Sequence, residues 1–138
     1  MVVEHVEHPA SLFEEIARVL RPGGRLLLHT PNASGYTTRL TRLVPDRLLA
    51  PLAGALVGRA AEDVYPTHYR ANTEAALTAL LNGPRWRLQR LEYVESSAQL
   101  AHVPPAAAVE LAAIRLFRAR RWQHLRACLL VTAERLAA

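Results

Sequence analysis

Residues 9–32 read PASLFEEIARVLRPGGRLLLHTPN, and this stretch decides the fold class. Its first half has helical spacing, with Leu12, Phe13, Ile16, Ala17 and Leu20 on one apolar face. Pro9 suits a first helical position, and Ser11 with Glu14 fits a capping box. Arg21-Pro22-Gly23-Gly24 then stops the helix, because Pro cannot continue it and Gly accepts the left-handed conformation. Arg25 to Thr30 (RLLLHT) follows as a nearly continuous apolar run. Directly after a helix and a glycine turn, such a run predicts a buried parallel strand. Its exit, Pro31-Asn32-Ala33-Ser34-Gly35, is loop chemistry.

Downstream, short helices are expected at Thr38–Leu43 and at Asp46–Val57, the second bent at Pro51. A clearer helix runs from Thr73 to Leu81, with Asn72 as the expected N-cap and Asn82-Gly83-Pro84 as the stop. Trp86 to Val94 reads as a strand whose inward positions are Trp86, Leu88, Leu91 and Tyr93, so the alternation slips between Leu88 and Leu91. Pro104-Pro105 opens a helix over about 106–121, with Val109, Ala112, Leu116 and Phe117 apolar, and the last strand is expected at Arg126 to Thr132. Helices and strands alternate, so the chain is α/β.

Length and composition narrow the function classes. The 138 residues fit one domain, and 51% hydrophobic with 21% charged residues is globular composition. The longest weakly polar run, Leu48 to Gly58, is far short of the about 20 residues a membrane span needs. No secretory signal is visible in MVVEHVEHP, and Cys128 is the single cysteine, so a cytoplasmic protein is expected. The net charge of +5 comes from 17 basic residues that are all Arg, spread from Arg18 to Arg135, with one local concentration, Arg115, Arg118, Arg120, Arg121 and Arg126, on the expected helix and its exit. That pattern, beside 24 Ala and 23 Leu, reflects compositional bias, and no nucleic-acid partner is expected. Only 6 glycines are present and none falls in a G-x-G-x-x-G pattern, so the usual cofactor cradle is missing from these residues.

The segment from Val2 to Asn32 resembles the middle of a class I S-adenosylmethionine-dependent methyltransferase, in particular the small-molecule type. The matching parts are Glu4-His5 at a strand end, the His8-Pro9 turn, the helix ending Arg18 to Gly24, and Leu26 to Asn32 as a strand running into T-P-N. The pair Trp86–Val94 and Arg126–Thr132 is similar to that family's antiparallel sixth and seventh strands. The resemblance implies the C-terminal portion of a Rossmann-like sheet: a stub of strand 4 at Met1–Val6, then strands 5, 6 and 7, in a single partial domain over 1–138. Residues 36–71 become a substrate-capping insertion and 98–121 a helical one. It further implies methyl transfer from S-adenosylmethionine to oxygen or nitrogen of a small acceptor. The first three strands and the glycine-rich loop of the family are not in this sequence, so the chain alone is expected to be inactive.

The resemblance implies the candidate residues. Val3 and Glu4, at the end of strand 4, would face the cofactor. His5 is a candidate base. Glu4 with His5 is a candidate metal pair, although two adjacent ligands make a weak site and a divalent metal is not expected. Tyr65, His68, Tyr69 and Arg70 fall in the capping segment, where His68 has the chemistry of a general base at neutral pH and the others that of acceptor-binding groups. Asn32 lies at the carboxyl end of the buried strand, where open α/β sheets bind ligands, and either faces substrate or bonds its own loop. Loss of a neighbour beside Arg25–Thr30 would leave an apolar edge that recruits a separate N-terminal half or a second copy. The alternative to an enzyme half is thus a non-catalytic interaction module using this edge and the Arg-rich helix.

Overall fold

The computed structural model describes residues 2–43, 67–95 and 104–137. In chain order the elements are a 3₁₀ turn at Val3–His5, α1 (Pro9–Val19), β1 (Arg25–Pro31), α2 (Tyr36–Leu43), α3 (Glu74–Leu81), β2 (Trp86–Val94), α4 (Pro104–Leu116), a 3₁₀ turn at Arg120–Leu125, and β3 (Cys128–Arg135). The strand order is β1-β3-β2 and both pairings are antiparallel. The last strand therefore sits between the other two, and β1 and β2 run parallel to one another on either side of it. Their carboxyl ends share one edge of the sheet with the start of β3. This is a mixed α/β fold.

Local chemistry explains the first half. Pro9 occupies the first turn of α1, while His8 at the N-cap position makes no side-chain cap. Ser11 and Glu14 lie inside the helix, so the expected capping box does not form. Leu20 closes α1 through its N–H to the Ile16 carbonyl. Gly23 takes φ +78°, and Gly24 donates to the Arg21 carbonyl at 2.8 Å. Pro22 followed by a left-handed Gly is type II turn chemistry. The turn is tied to the end of the sheet, since Gly23 donates to the carbonyl of Arg135 and Arg135 donates to that of Gly24, both at 2.8 Å.

The core lies on one face of the sheet. Leu26 and Leu28 from β1, Leu129, Val131 and Ala133 from β3, and Trp86, Leu88, Leu91 and Tyr93 from β2 pack with Phe13 and Ala17 of α1 and Leu77 and Leu81 of α3. Each large apolar side chain fully buried here contributes about 1.5–3 kcal/mol. The Trp86 indole donates to the Phe13 carbonyl at 3.3 Å, which satisfies its one polar atom inside the core.

Several sequence expectations need correction. The strand-4 stub is a 3₁₀ turn, Val3–His5, so the sheet has three strands among the described residues. β1 is not buried on both faces beside a parallel neighbour. Its burial alternates, with Leu26, Leu28 and Thr30 inward and Arg25, Leu27 and His29 exposed. Thr73, not Asn72, caps α3, its hydroxyl accepting from the Ala76 N–H at 3.2 Å. β3 starts at Cys128 and runs on to Arg135. On α4 the buried seam holds Glu110 and leads to Phe117, while Val109, Leu111 and Leu116 are exposed. The expected helix at 46–57 lies outside the described residues.

Candidate active site at the carboxyl end of the sheet

Beyond β1 the chain enters a loop held by two asparagines. Asn32, 1% exposed, donates its side-chain amide to the carbonyls of His124 and Arg126, both at 2.9 Å, and its carbonyl oxygen Oδ1 accepts from the Ser34 N–H at 3.0 Å. Its amide thus ties the segment ahead of β3, while its Oδ1 bonds its own loop. Asn72 is wholly buried and donates to the Thr30 hydroxyl at 2.7 Å and the Pro31 carbonyl at 3.1 Å. Its own carbonyl accepts from Ala33 at 2.8 Å. Gly35 has no room for a side chain, as a Cβ there would meet the Arg126 carbonyl at 2.6 Å. The carboxyl end of β1 is therefore rigidly anchored to both neighbours.

Asn72 also positions the segment 67–71 beside the N-terminal turn. The carbonyl of Glu4 accepts from the N–H of His68 at 2.7 Å and from that of Tyr69 at 3.2 Å. Tyr69 adopts φ +51°, a left-handed conformation that costs a non-glycine residue roughly 1–2 kcal/mol. Arg70 reaches back to Glu7, donating to its carbonyl at 3.0 Å with the carboxylate 3.8 Å away. Arg42 lies over the Tyr69 ring at 5.5 Å. Four candidates read from distant parts of the chain, Glu4, His5, His68 and Tyr69, thus meet here, with Arg70 beside them. Tyr65 lies outside the described residues, and the Val3 side chain packs into the core.

Glu4 is the buried charge of this group. Its side chain is 9% exposed, Oε1 lies 3.8 Å from the His5 Nε2, and Oε2 is out of solvent with no hydrogen-bond partner. His5 is half-buried and His68 exposed. Among the described residues no group of three or more His, Cys, Asp or Glu side chains is placed to hold a metal ion.

A second polar cluster at the same edge escaped the sequence reading. The Tyr36 hydroxyl donates to Glu110 at 2.9 Å, and its ring packs against Phe117 at 5.4 Å. Burial, and then the Glu110 carboxylate, push the Tyr36 phenol well above its ordinary range. Both oxygens of Glu95, just past β2, are out of solvent without a hydrogen-bond partner. Burial raises the Glu95 carboxyl, opposed by the nearby Ala127 backbone and the Arg126 guanidinium. Arg126, which the sequence groups with the surface arginines, is half-buried and donates to the carbonyls of Phe117 at 3.0 Å and Tyr93 at 2.8 Å. The available signal was Glu110, a lone acid on an otherwise alanine-rich helix.

The described residues form a mixed α/β fold whose polar groups gather where β1 and β2 end. A family model described as a methyltransferase domain matches residues 1–128, and the chain belongs to that methyltransferase domain family. The resemblance read from Val2 to Asn32 is thereby borne out. A search of curated proteins finds no match. The family implies S-adenosylmethionine as cofactor, yet the described glycines do not form a cradle for it. Gly23 and Gly24 serve the turn locked to Arg135, and Gly35 packs against Arg126.

Proposed function

We propose that this chain supplies the acceptor side of an S-adenosylmethionine-dependent methyltransferase acting on oxygen or nitrogen of a small molecule. The observation that carries the reading is the convergence of His68 and Tyr69 on Glu4-His5 at the carboxyl end of β1. In this reading His5 or His68 takes the acceptor's proton, imidazole being a common general base. Tyr69 and Arg70 line the acceptor position, and Asn32 holds the loop that frames it. The cofactor side, which the resemblance assigns to Val3 and Glu4, meets the acceptor side at Glu4 in this reading, while the Val3 side chain packs into the core. Glu4 and His5 offer only two ligands, so a divalent metal is not part of the reading.

Cofactor binding in the family draws on a glycine-rich turn that these 138 residues do not contain, so the chain by itself is expected to be inactive. Calorimetric titration of the folded chain with S-adenosylmethionine tests this. Absence of heat supports it, and micromolar binding, about −8 kcal/mol, overturns it.

A second reading rests on the edge of β1. Asn32 donates to Ala127 and Arg135 to Gly24, so even-numbered residues of β1 bond β3. The N–H groups of Arg25, Leu27 and His29 then point away from β3, and Leu27 is 70% exposed. Such an edge accepts another strand, from a separate N-terminal half or a second copy. In this interaction-module reading the exposed Arg115 and Arg118 supply a second contact surface. Sedimentation distinguishes it: self-association abolished by Leu27→Lys supports the edge as a contact, and a wild-type monomer at about 50 μM, roughly −6 kcal/mol or weaker, excludes self-pairing. No helix among the described residues is long and apolar enough to cross a membrane.

A further inference from the structure

The geometry points to an ammonium-binding position at Glu4, which makes the methyl acceptor an amine; this rests on the acceptor-side reading above. A side chain that is 9% exposed presents a carboxylate oxygen, Oε2, with no donor. Unpaired buried charges are costly, and a charge-assisted hydrogen bond is the strongest remedy. Among the described residues, the arginines of this segment are engaged elsewhere, Arg70 with Glu7 and Arg42 with the Tyr69 ring. A metal ion lacks ligands, as no group of three ligating side chains exists among the described residues. The other oxygen, Oε1, faces His5 at 3.8 Å, so a single oxygen remains to be satisfied. One oxygen suits the point charge of an ammonium, whereas a guanidinium is matched by two.

An ammonium group has two possible sources, the acceptor and the amino-acid end of the cofactor. The test is a chemical-shift titration of the full chain with ethylammonium chloride, with potassium chloride as the ionic-strength control and methionine as the second ligand. Saturable shifts of the Val3–His5, His68 and Tyr69 amides are expected, with ethylammonium binding tighter than methionine. Affinity should fall about ten-fold or more in Glu4→Gln. Glu4→Asp, which keeps the charge but retracts it, should weaken binding by a smaller factor and guards against a folding defect in the first variant. Shifts no larger than with potassium chloride, shifts unchanged in both variants, or a preference for methionine each overturn the proposal. None of these readings involves methyl transfer. Failure here leaves an oxygen acceptor in place, while failure of the S-adenosylmethionine titration leaves the ammonium position untouched.

Discussion

The backbone N–H of His68 donates to the carbonyl of Glu4 at 2.7 Å, joining the segment before α3 to the turn before α1. The bond fixes the spacing of two histidines and a buried acid that the sequence places in unrelated neighbourhoods. Asn72 secures the other end of the same segment by bonding Thr30 and Pro31. The candidate site is thus framed mainly by backbone bonds at the carboxyl end of β1.

Tyr69 tests the frame. Its φ of +51° is tolerated by Asn and opposed by β-branched side chains. Tyr69→Val is expected to lower stability by roughly 1–2 kcal/mol more than Tyr69→Asn, since both lose the contact with Arg42 and only the first adds strain. Urea unfolding of the two variants reads the difference. Equal midpoints would show that the left-handed conformation carries no cost here.

Asn32 gives a pH-dependent case. Its amide donates to two carbonyls, which a carboxylate can only repel. Asn32→Asp should therefore cost about 3 kcal/mol or more at neutral pH, beyond Asn32→Ala. The introduced carboxyl would have a raised folded-state pKa, so its penalty grows as pH rises and shrinks in acid. Unfolding midpoints relative to wild type should recover at about pH 4. A pH-independent deficit would contradict the bonding scheme.

Glu95 obeys the same sign in the native protein. Burial raises its carboxyl, so its favourable contribution is present below the unfolded value and is lost as pH rises through the raised folded one. Glu95→Gln should therefore exceed wild type in stability at neutral pH, with the advantage narrowing in acid. Matched midpoints across the whole range would remove the burial argument.

Tyr93 is pushed up to about 12, by burial first and then by Glu74, whose carboxylate accepts from its hydroxyl at 2.5 Å. Spectrophotometric titration should find this phenol ionising late. In Glu74→Ala the midpoint should fall partway toward 10.0, because burial remains after the carboxylate is gone. No change would assign the whole shift to burial.

How far the sequence could be read depended on whether local or distant contacts decide each element. α1 and its Pro22-Gly23 turn obey local rules and appear where their spacing puts them. In β1 three consecutive leucines hide the alternation, and only the open face beside Leu27 shows which side is inward. Asn72 and Thr73 are both good caps. The choice falls to Thr73 because Asn72 is buried against Thr30. Val3–His5 carries strand-like residues, yet it folds as a 3₁₀ turn with no strand partner among the described residues. Motif resemblance marked Glu4, His5 and the 68–70 segment, but no spacing rule could join them. The Tyr36–Glu110 bond was equally out of reach, since it spans two elements with no shared pattern.

The slip in β2 was legible, and it yields the sharpest test. Leu88 pairs with Ala133 and Arg90 with Thr132, which leaves Gln89 as the extra residue of a bulge. Leu88 and Leu91 both face the core across that bulge. Deleting Gln89 restores strict alternation, with Trp86, Leu88, Leu91 and Tyr93 still inward and the pairing with β3 uninterrupted. The loss is the Gln89–Glu134 hydrogen bond at 2.6 Å, an exposed contact. The deletion should cost about 1 kcal/mol or less. Deleting Arg87 instead turns Trp86 out of the core and away from the Phe13 carbonyl, which should cost about 3–5 kcal/mol. Thermal unfolding of the two deletions, side by side, decides whether the bulge sits at Gln89. A severe loss from the Gln89 deletion would mean that the bulge itself is required.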